Sequence, residues 1–67
     1  MTLTEIQKVL NDIKELVGDE ELAHITEDVL MVQFIKYIAS NPSDPELAEK
    51  AKLVLTSNEI KFSRWYA

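Results

Sequence analysis

The chain contains no cysteine. Disulfide staples, thiolate zinc sites and cysteine nucleophiles are therefore excluded. A single glycine cannot build a phosphate-cradling loop, and a single histidine argues against a histidine-rich metal centre. One glycine and two prolines also leave little to interrupt helices, so long helices are expected. The longest apolar stretch, residues 29–39, is broken by Gln33 and Lys36. It falls well short of the roughly 20 residues that span a bilayer. The opening Met1-Thr2-Leu3-Thr4-Glu5 lacks the basic region of a signal peptide. No membrane association is expected, and the expected location is cytoplasmic.

Basic residues are also scarce. Seven Lys and Arg stand against twelve Asp and Glu, giving a net charge of −5. The imbalance lies in the first half: residues 1–34 hold eight acids and two bases, whereas residues 35–67 hold four acids and five bases. Such a chain repels phosphate, so direct nucleic-acid binding is not expected. Hydrophobic residues make up 46% of the 67 positions, which is a globular rather than a disordered composition. That length allows one domain, spanning 1–67, with a thin core. The stability of so small a domain has to come from close helix packing or from a partner subunit.

Three helices can be read from the apolar spacing. Ile6, Val9, Leu10, Ile13, Leu16 and Val17 line one face of a first helix over about residues 4–17. Thr2 with Glu5 and Thr4 with Gln7 fit a capping box equally well at its start, and Gly18 closes it. Asp19 then caps a second helical region over residues 19–39, with Glu20 and Glu21 complementing its dipole. Within that region Leu22, Ile25 and Val29 point one way, while Met31, Phe34, Ile35 and Ile38 point nearly opposite. Thr26 lies between the sets and can cap a fresh helix, so a kink or break near residue 26 is expected. An unbroken helix buried on two sides is the alternative. Ser40-Asn41-Pro42-Ser43-Asp44-Pro45 is a linker, with Ser43 and Glu46 fitting a capping box. A third helix follows over about residues 45–56. Leu47, Ala51, Val54 and Leu55 form its inner face, and Glu46 and Lys50 pair on its outer side. In the tail, 58–67, Ile60 and Phe62 alternate as an extended segment would.

Residues suited to catalysis are few. His24 has Glu27 at i+3 and Asp28 at i+4, enough to orient an imidazole or share a weak metal, though a solvated or cap-linked histidine is the favoured reading. The serines read as caps and turn formers. The acids Asp19, Glu20, Glu21, Glu27 and Asp28 occupy one stretch without a base. They can fill helix N-termini, or they can face a basic surface. The second helix carries more apolar residues than one face needs, among them Val32 and Tyr37. A protein partner or a homodimer would cover them, as would the tail folding back. Phe62, Arg64, Trp65 and Tyr66 fall within five positions. They are residue types that dominate interfaces and also close small bundles. Trp65 is expected to be the inward plug, with Arg64 and Tyr66 outward.

The ending Ile60-Lys61-Phe62-Ser63-Arg64-Trp65-Tyr66-Ala67, with His24-Ile25-Thr26-Glu27-Asp28 upstream, resembles a pattern in small bacterial and phage-related proteins. Their ending is often Ile-Asp-Phe-x-Arg-Trp-Cys-Ala. This chain departs from it at Lys61 and Tyr66. The resemblance covers about the last two thirds of the chain. It implies a bacterial or phage origin and carries no catalytic residue or cofactor.

These readings converge on an all-α bundle of three helices, or four if the second breaks, with the hydrophobic tail packed on the core. The expected function is non-enzymatic: a small regulatory or adaptor protein, without cofactor, that binds another protein through the tail and the second helix. An acidic inhibitor or nucleic-acid mimic using the five clustered acids is the second expectation. A weak metal or catalytic site around His24 is the third.

Overall fold

In the computed structural model, which describes residues 1–64, three helices pack against one another and no strand occurs among the described residues. Helix α1 spans Leu3–Glu15, α2 spans Glu20–Ser40 and α3 spans Leu47–Leu55, followed by a 3-10 turn over Thr56–Glu59.

The start of α1 is resolved in favour of Thr2. The Thr2 N–H donates to Glu5 Oε1 at 2.7 Å, and the Glu5 N–H donates to Thr2 Oγ1 at 3.1 Å, so two otherwise unsatisfied donors are met reciprocally. The same contacts hold the Glu5 carboxyl below its ordinary pKa. Ile6, Leu10 and Ile13 are buried as their spacing predicts, while Val17 lies beyond the helix and is exposed. Gly18 takes φ +110°, a backbone state that glycine adopts without the steric cost other residues incur, and this turns the chain into α2. Asp19 caps α2, accepting a hydrogen bond from the Leu22 N–H at 3.3 Å.

The expected break near residue 26 is absent. Helix α2 runs unbroken for 21 residues. Thr26 does not cap a new helix; its hydroxyl donates to the Leu22 carbonyl at 2.8 Å, one turn back. A threonine can do this within a helix, because the backbone donors it would otherwise cap are already paired. Nor is the helix buried on two sides. Ala23, Glu27, Leu30 and Phe34 form its core face; Leu22, Ile25 and Val29 are left outside, and of the opposite set Phe34 is buried and Met31 packs against the core while Ile35 and Ile38 are exposed.

The α2–α3 connection is organised by Asp44. Its Oδ1 accepts from the Glu46 N–H at 2.8 Å, so the expected Ser43–Glu46 box is replaced by an aspartate turn. Two expectations for α3 are corrected. Leu55 is exposed and Leu53 instead packs against the core, because the helix is rotated to bring Lys50 and Val54 inward. Lys50 is only 5% exposed, not on the outer side. Its aliphatic stem packs inward while its ammonium reaches Asp44 and the Tyr37 hydroxyl, with Glu46 4.0 Å away. After the 3-10 turn, residues 60–62 alternate as expected: Ile60 is buried, Lys61 exposed and Phe62 half-buried against the core.

A candidate interaction surface on the second helix

Six large hydrophobic side chains of α2 are exposed, and Ile35 and Ile38 lie to one side of the other four. Leu22, Ile25, Val29 and Val32 follow one another at intervals of three, four and three residues. At the helical angle of about 100° per residue they fall within an arc of about 80°, and Gln33 and Lys36 lie on or beside the same line. That arc is centred about 150° from the core face. Leu22 is 44% exposed, Ile25 50%, Val29 48% and Val32 52%, although each is a large aliphatic side chain. Asp28 completes the set on one flank. The alternation of three and four is the spacing of a coiled-coil seam, in which each apolar residue is a knob for a facing helix.

The stripe is not flat. One depression of about 310 Å³ is lined by Asp28, Val29, Val32, Gln33 and Lys36. A second of about 240 Å³ is lined by Asp19, Glu21, Leu22 and Ile25. The first sets one carboxylate and one ammonium beside two valines, and the second sets two carboxylates beside Leu22 and Ile25.

The opposite side of α2 shows why the stripe cannot turn inward. Glu27 sits in the core face and is 6% exposed. It is met by Arg64, whose Nε donates to Glu27 Oε1 at 2.7 Å and whose Nη2 donates to Glu27 Oε2 at 3.0 Å. The second Nη2 hydrogen is shared between the carbonyls of Ser57 at 2.7 Å and Ile60 at 2.8 Å, and Nη1 donates to the Phe62 carbonyl at 3.3 Å. The planar fork matches the carboxylate in two places and leaves donors for the backbone, which a lysine could not do. Arg64 also stacks over the Phe62 ring, its Cζ 3.8 Å from the ring centroid. Glu27 therefore leaves the acidic surface assigned to it above, and Arg64 points inward rather than outward. Each correction has the same cause, since a carboxylate carried into the core by helical phase needs a cation there. The expected plug, Trp65, and Tyr66 beside it lie outside the described residues.

Tyr37 also moves from the interaction set to the interior. It packs against the core, stacks with Phe34 at a centroid distance of 6.5 Å, and its hydroxyl donates to Asp44. Lys50 lies 3.0 Å from that hydroxyl and 4.9 Å from the ring centroid. Lys50, then Tyr37, then the Glu46 N–H hold Asp44 at a pKa of about 2, below its ordinary 3.8. Asp44 in turn raises Lys50 above its ordinary 10.5. A depressed carboxylate stabilises the fold fully above its unfolded value and ceases to do so as pH falls through its folded value. Asp44→Asn is thus expected to lower stability at neutral pH and to flatten the loss of stability between about pH 4 and pH 2, as read by urea midpoints across that window. An unchanged acid limb would show that the Asp44–Lys50–Tyr37 cluster does not couple to folding.

The other acids divide. Glu21 and Asp28 are exposed, Asp19 is used as a cap, and Glu20 is half-buried. His24 Nε2 lies 3.7 Å from Asp28 Oδ1 across one helical turn. Among the described residues, no three His, Asp or Glu side chains are grouped to hold a metal, and no helix is long and apolar enough to cross a membrane. Sequence reasoning set Leu22, Ile25 and Val29 in one direction and named Val32 as surplus, but the break it expected near residue 26 kept it from joining the four into one stripe. No known family matches the chain, nor does any curated protein or solved structure.

Proposed function

We propose that this protein is a non-enzymatic interaction module that binds another protein through the outward stripe of α2. The observation that carries this reading is the row of four half-exposed aliphatic side chains on the face opposite the core. Scattered exposed apolar residues are ordinary on any protein surface, but a contiguous row in seam spacing is not. None of the four is a core residue, so the buried face of α2 does not depend on them. The chemistry of the rest of the chain agrees. The most strongly shifted ionisable groups, Asp44 and Lys50, are bonded to each other and pin a loop.

The acidic-inhibitor reading is weakened by the inward turn of Glu27. Glu21 and Asp28 remain, and they serve better as the charged margin of an apolar surface than as a phosphate mimic. The test is a comparison of partner recovery from the native host by the wild-type chain and by Ile25→Glu/Val29→Glu. Both positions are exposed, so the variant is expected to keep its helical circular dichroism and thermal midpoint while losing the partner. A partner recovered equally with both chains would sink this assignment of the surface.

A further inference from the structure

We infer that the occupant of the α2 stripe is a basic amphipathic helix of another protein, seated with apolar residues one heptad apart in the two depressions. The inference rests on the stripe being an interaction surface and adds what lies on it.

The spacing argues for a helix. The midpoint of Leu22 and Ile25 and the midpoint of Val29 and Val32 are separated by one heptad, about 10 Å along the helix axis. A facing helix presents knobs at the same interval, whereas an extended strand repeats on each face about every 7 Å and falls out of step. The charge argues for basic flanks. Asp19 and Glu21 line one depression, and Asp28 lines the other together with Lys36. Lys36, at the far end, is the single Lys or Arg in α2. A Lys or Arg beside each apolar knob would therefore meet a carboxylate, and an acid at one end of the partner would meet Lys36 and set its direction.

The same charges disfavour a second copy. Two antiparallel stripes centred on each other bring Asp28 close to the two-fold axis, facing its own counterpart. Two parallel stripes set Lys36 against Lys36. Each copy also carries a net charge of −5. An anionic membrane surface is repelled by the same carboxylates.

The probe is a synthetic helix of roughly three heptads, long enough to be helical, with Leu at the seam positions and Lys on both flanks. A matched peptide carries Glu in place of Lys. Titrating each into isotope-labelled protein is expected to give binding of the Lys peptide alone, with amide shifts centred on residues 22–36. Ile25→Glu/Val29→Glu is expected to weaken that binding by about ten-fold or more, which is about 1.4 kcal/mol or more, since it replaces two aliphatic side chains that the helix would cover. Glu21→Lys/Asp28→Lys is expected to reverse the preference between the peptides; Asp19 is left intact because it caps the helix. Equal binding of both peptides, or shifts confined to α1 and α3, would overturn the inference. So would a dimer in sedimentation equilibrium that Ile25→Glu/Val29→Glu dissociates, although that result would leave the stripe standing as an interface. If the double variant changes neither peptide binding, self-association nor partner recovery, the interaction reading fails along with the inference.

Discussion

Arg64→Ala is expected to cost about 3 kcal/mol of folding free energy, a figure typical of breaking a buried ion pair from one side. The carboxylate left behind, Glu27, is 6% exposed and would have no cation to meet it. The carbonyls of Ser57 and Ile60 would lose a charged donor in the same substitution. Arg64 itself reaches solvent along one edge, with 29% of its side chain exposed, which keeps the cost toward the low end of the range. For a domain of this size the thermal midpoint should fall by roughly 15 °C. A small domain has only about 5 kcal/mol or a little more in reserve, so a sizeable unfolded fraction is expected at 37 °C. The paired replacement Glu27→Leu/Arg64→Met should recover most of the loss, because neither partner then leaves a buried charge. Denaturant titration of the two single variants and the double variant measures the coupling directly. A single-variant loss below about 1 kcal/mol would mean that water reaches Glu27 in the native state.

Leu30→Ala should be comparably severe, at about 3 kcal/mol, for a different reason. Leu30 is fully buried on the core face of α2, and removing its branched end leaves a cavity that neighbouring helices cannot close completely. Its sequence neighbour supplies the control. Val29→Ala removes a half-exposed side chain from the outer stripe and should change stability by no more than about 0.5 kcal/mol. Alanine also favours the helix over valine, which offsets part of even that change. If the two substitutions cost the same, the division of α2 into a packed face and a free face is wrong.

Much of the architecture was legible because it is written in local repeats. The 6-10-13 spacing of α1, the Asp19 cap and the Ser40-to-Pro45 linker each depend on residues within a turn or two of one another. Helix α2 defeated the same reasoning. Its apolar residues occupy two opposed faces, and a periodicity argument that assumes one buried face reads this as a change of phase. The inference of a break at Thr26 followed from that assumption rather than from any weakness in the helix. The all-α class survives the error, whereas the candidate surface depended on correcting it.

The other misreadings concern partners far apart in sequence. Glu27 and Arg64 are separated by 37 residues, and Tyr37 and Lys50 by 13. No local pattern announces either pair. A signal for the first was nonetheless present: Glu27 falls on the same face as Ala23, Leu30 and Phe34, so the helical phase carries a carboxylate inward. Such a residue demands a cation from elsewhere in the chain. With only seven Lys and Arg available, the demand could have been turned into a short set of candidates.

The Glu27–Arg64 clip has a consequence for time as well as for energy. Capping boxes, aspartate turns and i, i+4 bonds form within single helices, whereas this clip requires α2 and the segment after α3 to be already in place. A contact that has to close so long a loop is expected to form on the native side of the folding barrier. Interactions absent from the transition state govern how fast a protein unfolds and leave its folding rate nearly unchanged. Arg64 therefore acts on the lifetime of the folded chain: its removal should steepen the escape from the native state while the three helices still assemble at their usual speed.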